Sequence, residues 1–136
     1  MSALAPYIWT SGAVHLIVAA ANLALPSILR YRANLSKVSP IIRQIFIAHS
    51  AYIVLNLLAF AGLCFFFAPE LAGGSLLGRM VSGYMALFWI ARFCIQAFYF
   101  EREVKRQHPI AHVAFLLAVA YMGGVAAAAA AVGAAG

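Results

Sequence analysis

Four long apolar runs divide the chain, at about residues 7–29, 41–67, 76–100 and 109–132, with short polar stretches between them. Each run reaches about 20 residues or more, the length at which a helix crosses a hydrocarbon core of about 30 Å. Lipid offers the backbone no hydrogen bonds, so helices are the expected spanning element. The connectors carry helix-breaking signals. "RYRANLSKVSP" ends just before the second run, "APELAGGS" holds two glycines, and "EREVKRQHP" ends in Pro109, a residue suited to the first turn of a helix. Glu101 and Lys105 in that last connector are spaced to pair across one turn if the third helix continues past the bilayer. The pattern predicts an all-α fold: an integral membrane four-helix up-and-down bundle, formed by one domain over residues 1–136. The first run reads as a span rather than a signal peptide, because no basic segment precedes it and its apolar stretch is too long. The last run closes on the mildly apolar "VAAAAAAVGAAG", an end expected to fray or to lie against a neighbour.

Polar residues inside the runs fall into stripes when placed at about 100° per residue. The first span carries Ser11, His15 and Asn22; the second, His49, Tyr52 and Asn56; the third, Ser82, Met85, Trp89, Arg92, Gln96 and Tyr99; the fourth, His112, Phe115, Val119 and Met122. Polar side chains are costly in hydrocarbon, so these faces are expected to turn inward and meet. Small residues at one-turn spacing, Gly78, Ser82 and Ala86 on the third span and Gly123 and Ala127 on the fourth, allow close helix approach within the bundle or between copies.

Arg92 is the most expensive member of these stripes. No Asp or Glu occurs in any of the four spans; the three carboxylates are Glu70, Glu101 and Glu103. Side chains lean toward the helix N-terminus, so escape of Arg92 to the nearer, basic end works against its natural direction. Neutral acceptors within the chain can answer the guanidinium. An anion from outside the chain, a lipid phosphate, a cofactor carboxylate or a partner's Glu or Asp, would answer it more fully. His49, Arg92, Gln96, Asn22, Tyr52 and Asn56 are therefore the candidate ligand-binding residues.

The histidines open an alternative. Haem b needs two ligands facing across a bundle, with basic groups for the propionates. His49 with His112 is one such pair, with Arg92 or Arg43 near the propionates; His15 with Met122 is another. The plainer reading is that His15 and His49 are interhelical hydrogen-bonders and that His112 sits in the inner interface. "HPIAH" places His108 and His112 one turn apart, but Pro109 sets His108 before the helix and no further ligand lies close in sequence, so a metal site is not expected. Without Asp a Ser–His–Asp triad is excluded, and no catalytic residues are assigned. Cys64 and Cys94 belong to different depths, too far apart for a disulfide, and read as small buried apolar residues.

Composition agrees with the pattern: of 136 residues, 66% are hydrophobic and 9% charged, a balance that fits a membrane protein and not a soluble domain. The net charge of +6 changes the picture through its distribution. Arg30, Arg32, Lys37 and Arg43 flank the first connector and Arg102, Lys105 and Arg106 the third, whereas the second has only Glu70 and Arg79. The positive-inside bias puts loops 30–43 and 101–108 in the cytoplasm and both termini on the outer side, in a bacterial inner membrane. Tyr7 and Trp9 then fall near the outer interface, and Tyr31, Tyr99 and Phe100 near the inner one. The basic residues serve orientation and anionic head groups, with no nucleic-acid partner expected. The leading functional expectation is a binding or accessory membrane protein whose polar layer near the cytoplasmic leaflet holds an anionic ligand, a lipid, or a partner subunit or second copy. The alternative is a b-type haem or quinone-handling electron-transfer subunit, and the second alternative a membrane enzyme acting on a lipid-soluble substrate.

Overall fold

The computed structural model describes residues 3–28, 30–99, 106 and 109–132. All regular structure among them is helical. Four helices are long and apolar enough to cross a membrane: α1 (Ala5–Ile28), α3 (Pro40–Phe66), α5 (Leu76–Cys94) and α6 (Pro109–Ala131). The protein is thus a small multi-pass membrane protein. Two one-turn helices complete the set, α2 (Tyr31–Leu35) after α1 and α4 (Ala68–Ala72) after α3. Beyond Cys94 the chain continues as a π-helical turn, Ile95–Tyr99. Phe100, the proposed Glu101–Lys105 pair, Arg102 and His108 lie outside the described residues.

Helix limits follow from local chemistry. Pro40 and Pro109 open α3 and α6, where the missing N–H costs nothing. Ser75 caps α5: its Oγ accepts from the Gly78 N–H at 3.0 Å and donates to a Glu70 carboxylate oxygen at 2.7 Å. Arg30, at φ 53°, and Gly74, at φ 80°, are the left-handed residues that turn the chain before α2 and before α5. The alanine-rich end of α6 is helical through Ala131, and Arg79 Nε donates to the Ala130 carbonyl at 3.1 Å. A cation on the last carbonyls of a helix is favourable for the macrodipole as well as for hydrogen bonding.

The long helices associate as two hairpins. Gly12 of α1 lies against Cys64 and Phe65 near the end of α3; a Cβ added to Gly12 would stand 3.0 Å from the Cys64 Cβ. Arg79 near the start of α5 meets Ala130 near the end of α6, and Gln96 meets His112 near the start of α6, so that pair is antiparallel. Gly123 lets α6 approach Trp89 of α5, where an added Cβ would sit 3.3 Å from the Trp89 Cβ. Gly78, Ser82 and Ala86 are all buried, whereas Ala127 is exposed. Most of the small-residue pattern therefore serves packing inside the bundle.

Burial is confined to one half of the molecule. Buried residues occur between Ala5 and Ala19, between Leu57 and Trp89, and between Val119 and Ala129. No described residue from Ala20 to Asn56, or from Ile90 to Ala118, is buried. In the closed half the hairpins are joined by Trp89 with His15, by Phe60 with Tyr84 and Phe88, and by the Tyr121 hydroxyl, which donates to the Tyr7 carbonyl at 3.3 Å. The open half carries the basic first connector, where Tyr31 of α2 packs edge-on against Phe46 of α3 with ring centroids 5.2 Å apart.

Candidate functional site

The closed half is organised around one imidazole. His15 is fully buried, and its Nδ1 lies 2.7 Å from the Ser11 carbonyl, its own helix one turn back. Its Nε2 lies 2.9 Å from Trp89 Nε1 on α5. Indole can only donate, so Nε2 is the acceptor and Nδ1 carries the proton toward Ser11. Phe60 and Trp89 both meet the His15 ring edge-on, at centroid distances of 5.8 and 5.3 Å. Met122 is fully buried in the same core. Both ring nitrogens of His15 are thus committed, and a metal at Nε2 would have to displace the indole. Ser11, Ser82 and Cys64 line a small cavity beside this cluster.

The stripes read from the sequence meet the structure unevenly. On α1, α5 and α6 they point inward: Ser11, His15, Ser82, Met85, Trp89, Val119 and Met122 are all buried. On α3 the buried face is instead Leu57, Phe60, Ala61 and Cys64. His49 and Tyr52 are exposed, Tyr52 by 67%. Asn56 is half-buried, and its Nδ2 is enclosed with no hydrogen-bond partner. The stripe expected to turn inward on α3 is exposed at Tyr52, and the best-buried face of α3 is the apolar one from Leu57 to Cys64. Cys64 of that face lies against Gly12 of α1. Cys94 departs from expectation in the same way, being exposed while Cys64 is buried; both are free thiols.

Continuing each buried face into the open half at about 100° per residue gives the positions on the same side of each helix. On α1 it is Asn22, whose Nδ2 donates to the Val18 carbonyl at 2.9 Å. On α3 it is Arg43, Phe46 and Ser50, the last with its hydroxyl donating to the Phe46 carbonyl at 2.9 Å. On α5 it is Arg92, and on α6 His112 and Phe115. Asn22, Arg43, Ser50, Arg92, Gln96, His112 and Phe115 all have intermediate exposure.

Two contacts order this layer. The Arg92 guanidinium carbon lies over the Phe115 ring at 5.0 Å from its centroid, a cation–π distance. Gln96 Nε2 lies 3.0 Å from His112 Nδ1 of α6. Gln96 belongs to the π-helical turn, where a wider turn shifts every later residue around the axis. Of the residues proposed from sequence, Asn22, Asn56, Arg92, Gln96 and His112 are half-buried, and His49 and Tyr52 are exposed. Arg43 and Ser50 are half-buried too, although neither belongs to the α3 stripe, because α3 is apolar on nearly every side. The π-helical turn likewise had no signal in the sequence. Among the described residues no three His, Cys, Asp or Glu side chains gather as a metal site. Comparison with known protein families, with curated proteins and with solved structures finds no match to this chain.

Proposed function

We propose that this protein is a non-enzymatic membrane protein whose open half holds the anionic head of a membrane-embedded amphiphile. One observation carries the reading. Two guanidiniums, Arg43 and Arg92, are half-buried on different hairpins, within spans that contain no carboxylate. A guanidinium recognises a phosphate or carboxylate by paired hydrogen bonds, and does so more strongly where water is scarce. Gln96, His112 and Asn22 add polar side chains at the same end, and Phe46 and Phe115 offer apolar surface to an acyl chain. The stack of Arg92 on Phe115 holds the cation in place before a ligand arrives, which lowers the ordering cost of binding. The reading takes the four spans as an up-and-down bundle with the basic connectors in the cytoplasm, where acidic lipids are plentiful.

The test uses purified protein with phosphatidylglycerol or phosphatidylcholine added in matched amounts, read by native mass spectrometry. Phosphatidylglycerol should be retained preferentially, and Arg92→Leu should cut that retention about tenfold through loss of a charge-assisted contact. Equal retention of the two lipids, or an unchanged preference in Arg92→Leu, would refute the proposal.

A further inference from the structure

The small cavity of the closed half lies at the level of Ser11, one turn from His15 on the side away from the open half. It sits between the two hairpins. Its wall includes Ser11 of α1, Cys64 of α3, Leu71 of α4, Ser82 of α5 and Ala129 of α6, all of them buried. Its volume, as space open to the centre of a water-sized sphere, is about 10 Å³. That is close to the least that one water molecule needs.

One side chain in this wall lacks a protein partner. Ser82 is 1% exposed, and its hydroxyl makes no hydrogen bond among the described residues. A serine within a helix commonly bonds the carbonyl one turn back, as Ser50 does to Phe46 at 2.9 Å. Ser82 forgoes the equivalent bond to Gly78. A buried hydroxyl left unpaired is costly, and ordered water is the usual partner where the protein supplies none.

We propose that this cavity is a binding site for a single water molecule, which bridges Ser82 to Ser11 and Cys64 and so ties the two hairpins together. The wall chemistry selects water over other small occupants. No carboxylate lines the cavity to hold a cation, and no cationic side chain lines it to hold an anion. An apolar guest would leave Ser82 unpaired. Water answers each polar group: the Ser82 hydroxyl donates to it, it donates to Ser11 Oγ, and the Cys64 thiol is a weak second donor. These three satisfy the two to four partners that a buried water requires. Ser11 then serves two bridges, because its carbonyl also holds His15 Nδ1 at 2.7 Å, and His15 in turn accepts from Trp89.

The experiment is a structure of the full chain at a resolution that shows ordered waters, paired with unfolding in mixed micelles. A density peak should stand about 2.8 Å from Ser82 Oγ and within bonding reach of Ser11 Oγ. Ser82→Ala should lose that peak. The unfolding measurement gives an independent sign. With water bound, Ser82→Ala should lower the ratio of folded to unfolded protein about fivefold relative to Ser50→Ala, which carries the same gain in helix propensity. Were the cavity dry, removing the hydroxyl would relieve an unpaired polar group and the ratio would rise. A structure without the peak, a peak unaffected by Ser82→Ala, or a ratio that rises or stays level would overturn the assignment. The lipid-retention test at Arg92 concerns the other half, so the two readings fail separately.

Discussion

The closed and open halves are built from the same four helices, with similar apolar content, yet only one is packed. In the closed half, side chains from all four helices converge on His15 and Trp89, small residues bring the helices together, and polar atoms find partners across helices. In the open half the same helices carry Asn22, Arg43, Arg92, Gln96 and His112, and none of these is buried. The difference teaches how a membrane bundle divides its labour. Lipid tails are as apolar as leucine, so burial of apolar surface does little to hold helices together there. Close packing and hydrogen bonds must do it, and both are concentrated where Gly12, Gly78, Ser82 and Gly123 lie. Where such residues are absent, the inner faces stay loose and can carry charge.

This comparison can be broken most directly at Trp89. Trp89→Ala removes the largest side chain of the closed core together with the donor to His15, and should cost about 3–5 kcal/mol in unfolding followed in mixed micelles. A loss below about 1 kcal/mol would mean that the closed half is not the stabilising one.

The hydrogen bond itself is tested more finely by a cycle. His15→Leu leaves the Trp89 N–H buried without a partner, and should cost about 1–3 kcal/mol. Combining it with Trp89→Phe removes both partners, so the double variant should lose less than the sum of the two single losses. Strict additivity would show that the 2.9 Å contact contributes nothing to stability.

The smallest effects belong to the open half. Ser50→Ala and Leu23→Ala, placed where no described residue is buried, should each change stability by no more than about 0.5 kcal/mol. Losses comparable to those at Trp89 would mean that the two halves pack alike in the membrane.

Much of the fold was legible in the chain, and much of the site was not. The spans predicted at about residues 7–29, 41–67 and 109–132 agree with α1, α3 and α6 to within two residues. The inward stripes of α1, α5 and α6 could be read because Ser11, His15, Ser82, Trp89 and Met122 recur at helical spacing within apolar surroundings. On α3 the same method is less informative: Tyr52 is exposed and the best-packed face, Leu57 to Cys64, is apolar. Nothing in the spacing distinguishes a side chain turned to a helix from one turned elsewhere. Arg92 and Gln96 were visible as polar residues in an apolar run. The cation–π seat on Phe115 and the bond to His112 were not, since both depend on how α6 lies against α5 and on the π-helical turn.

By itself the sequence determined how many helices span, where they start and stop, and that one of them carries a guanidinium with no carboxylate in any span. These are local properties: the bilayer sets a length, the backbone must bond to itself, and prolines and glycines end the helices. The tertiary structure alone decided how α3 is rotated, that His15 is locked between Ser11 and Trp89, and that packing closes one half and leaves the other open. A helix apolar on all sides has no preferred face toward lipid, so its rotation is settled only when side chains from another helix lock against it.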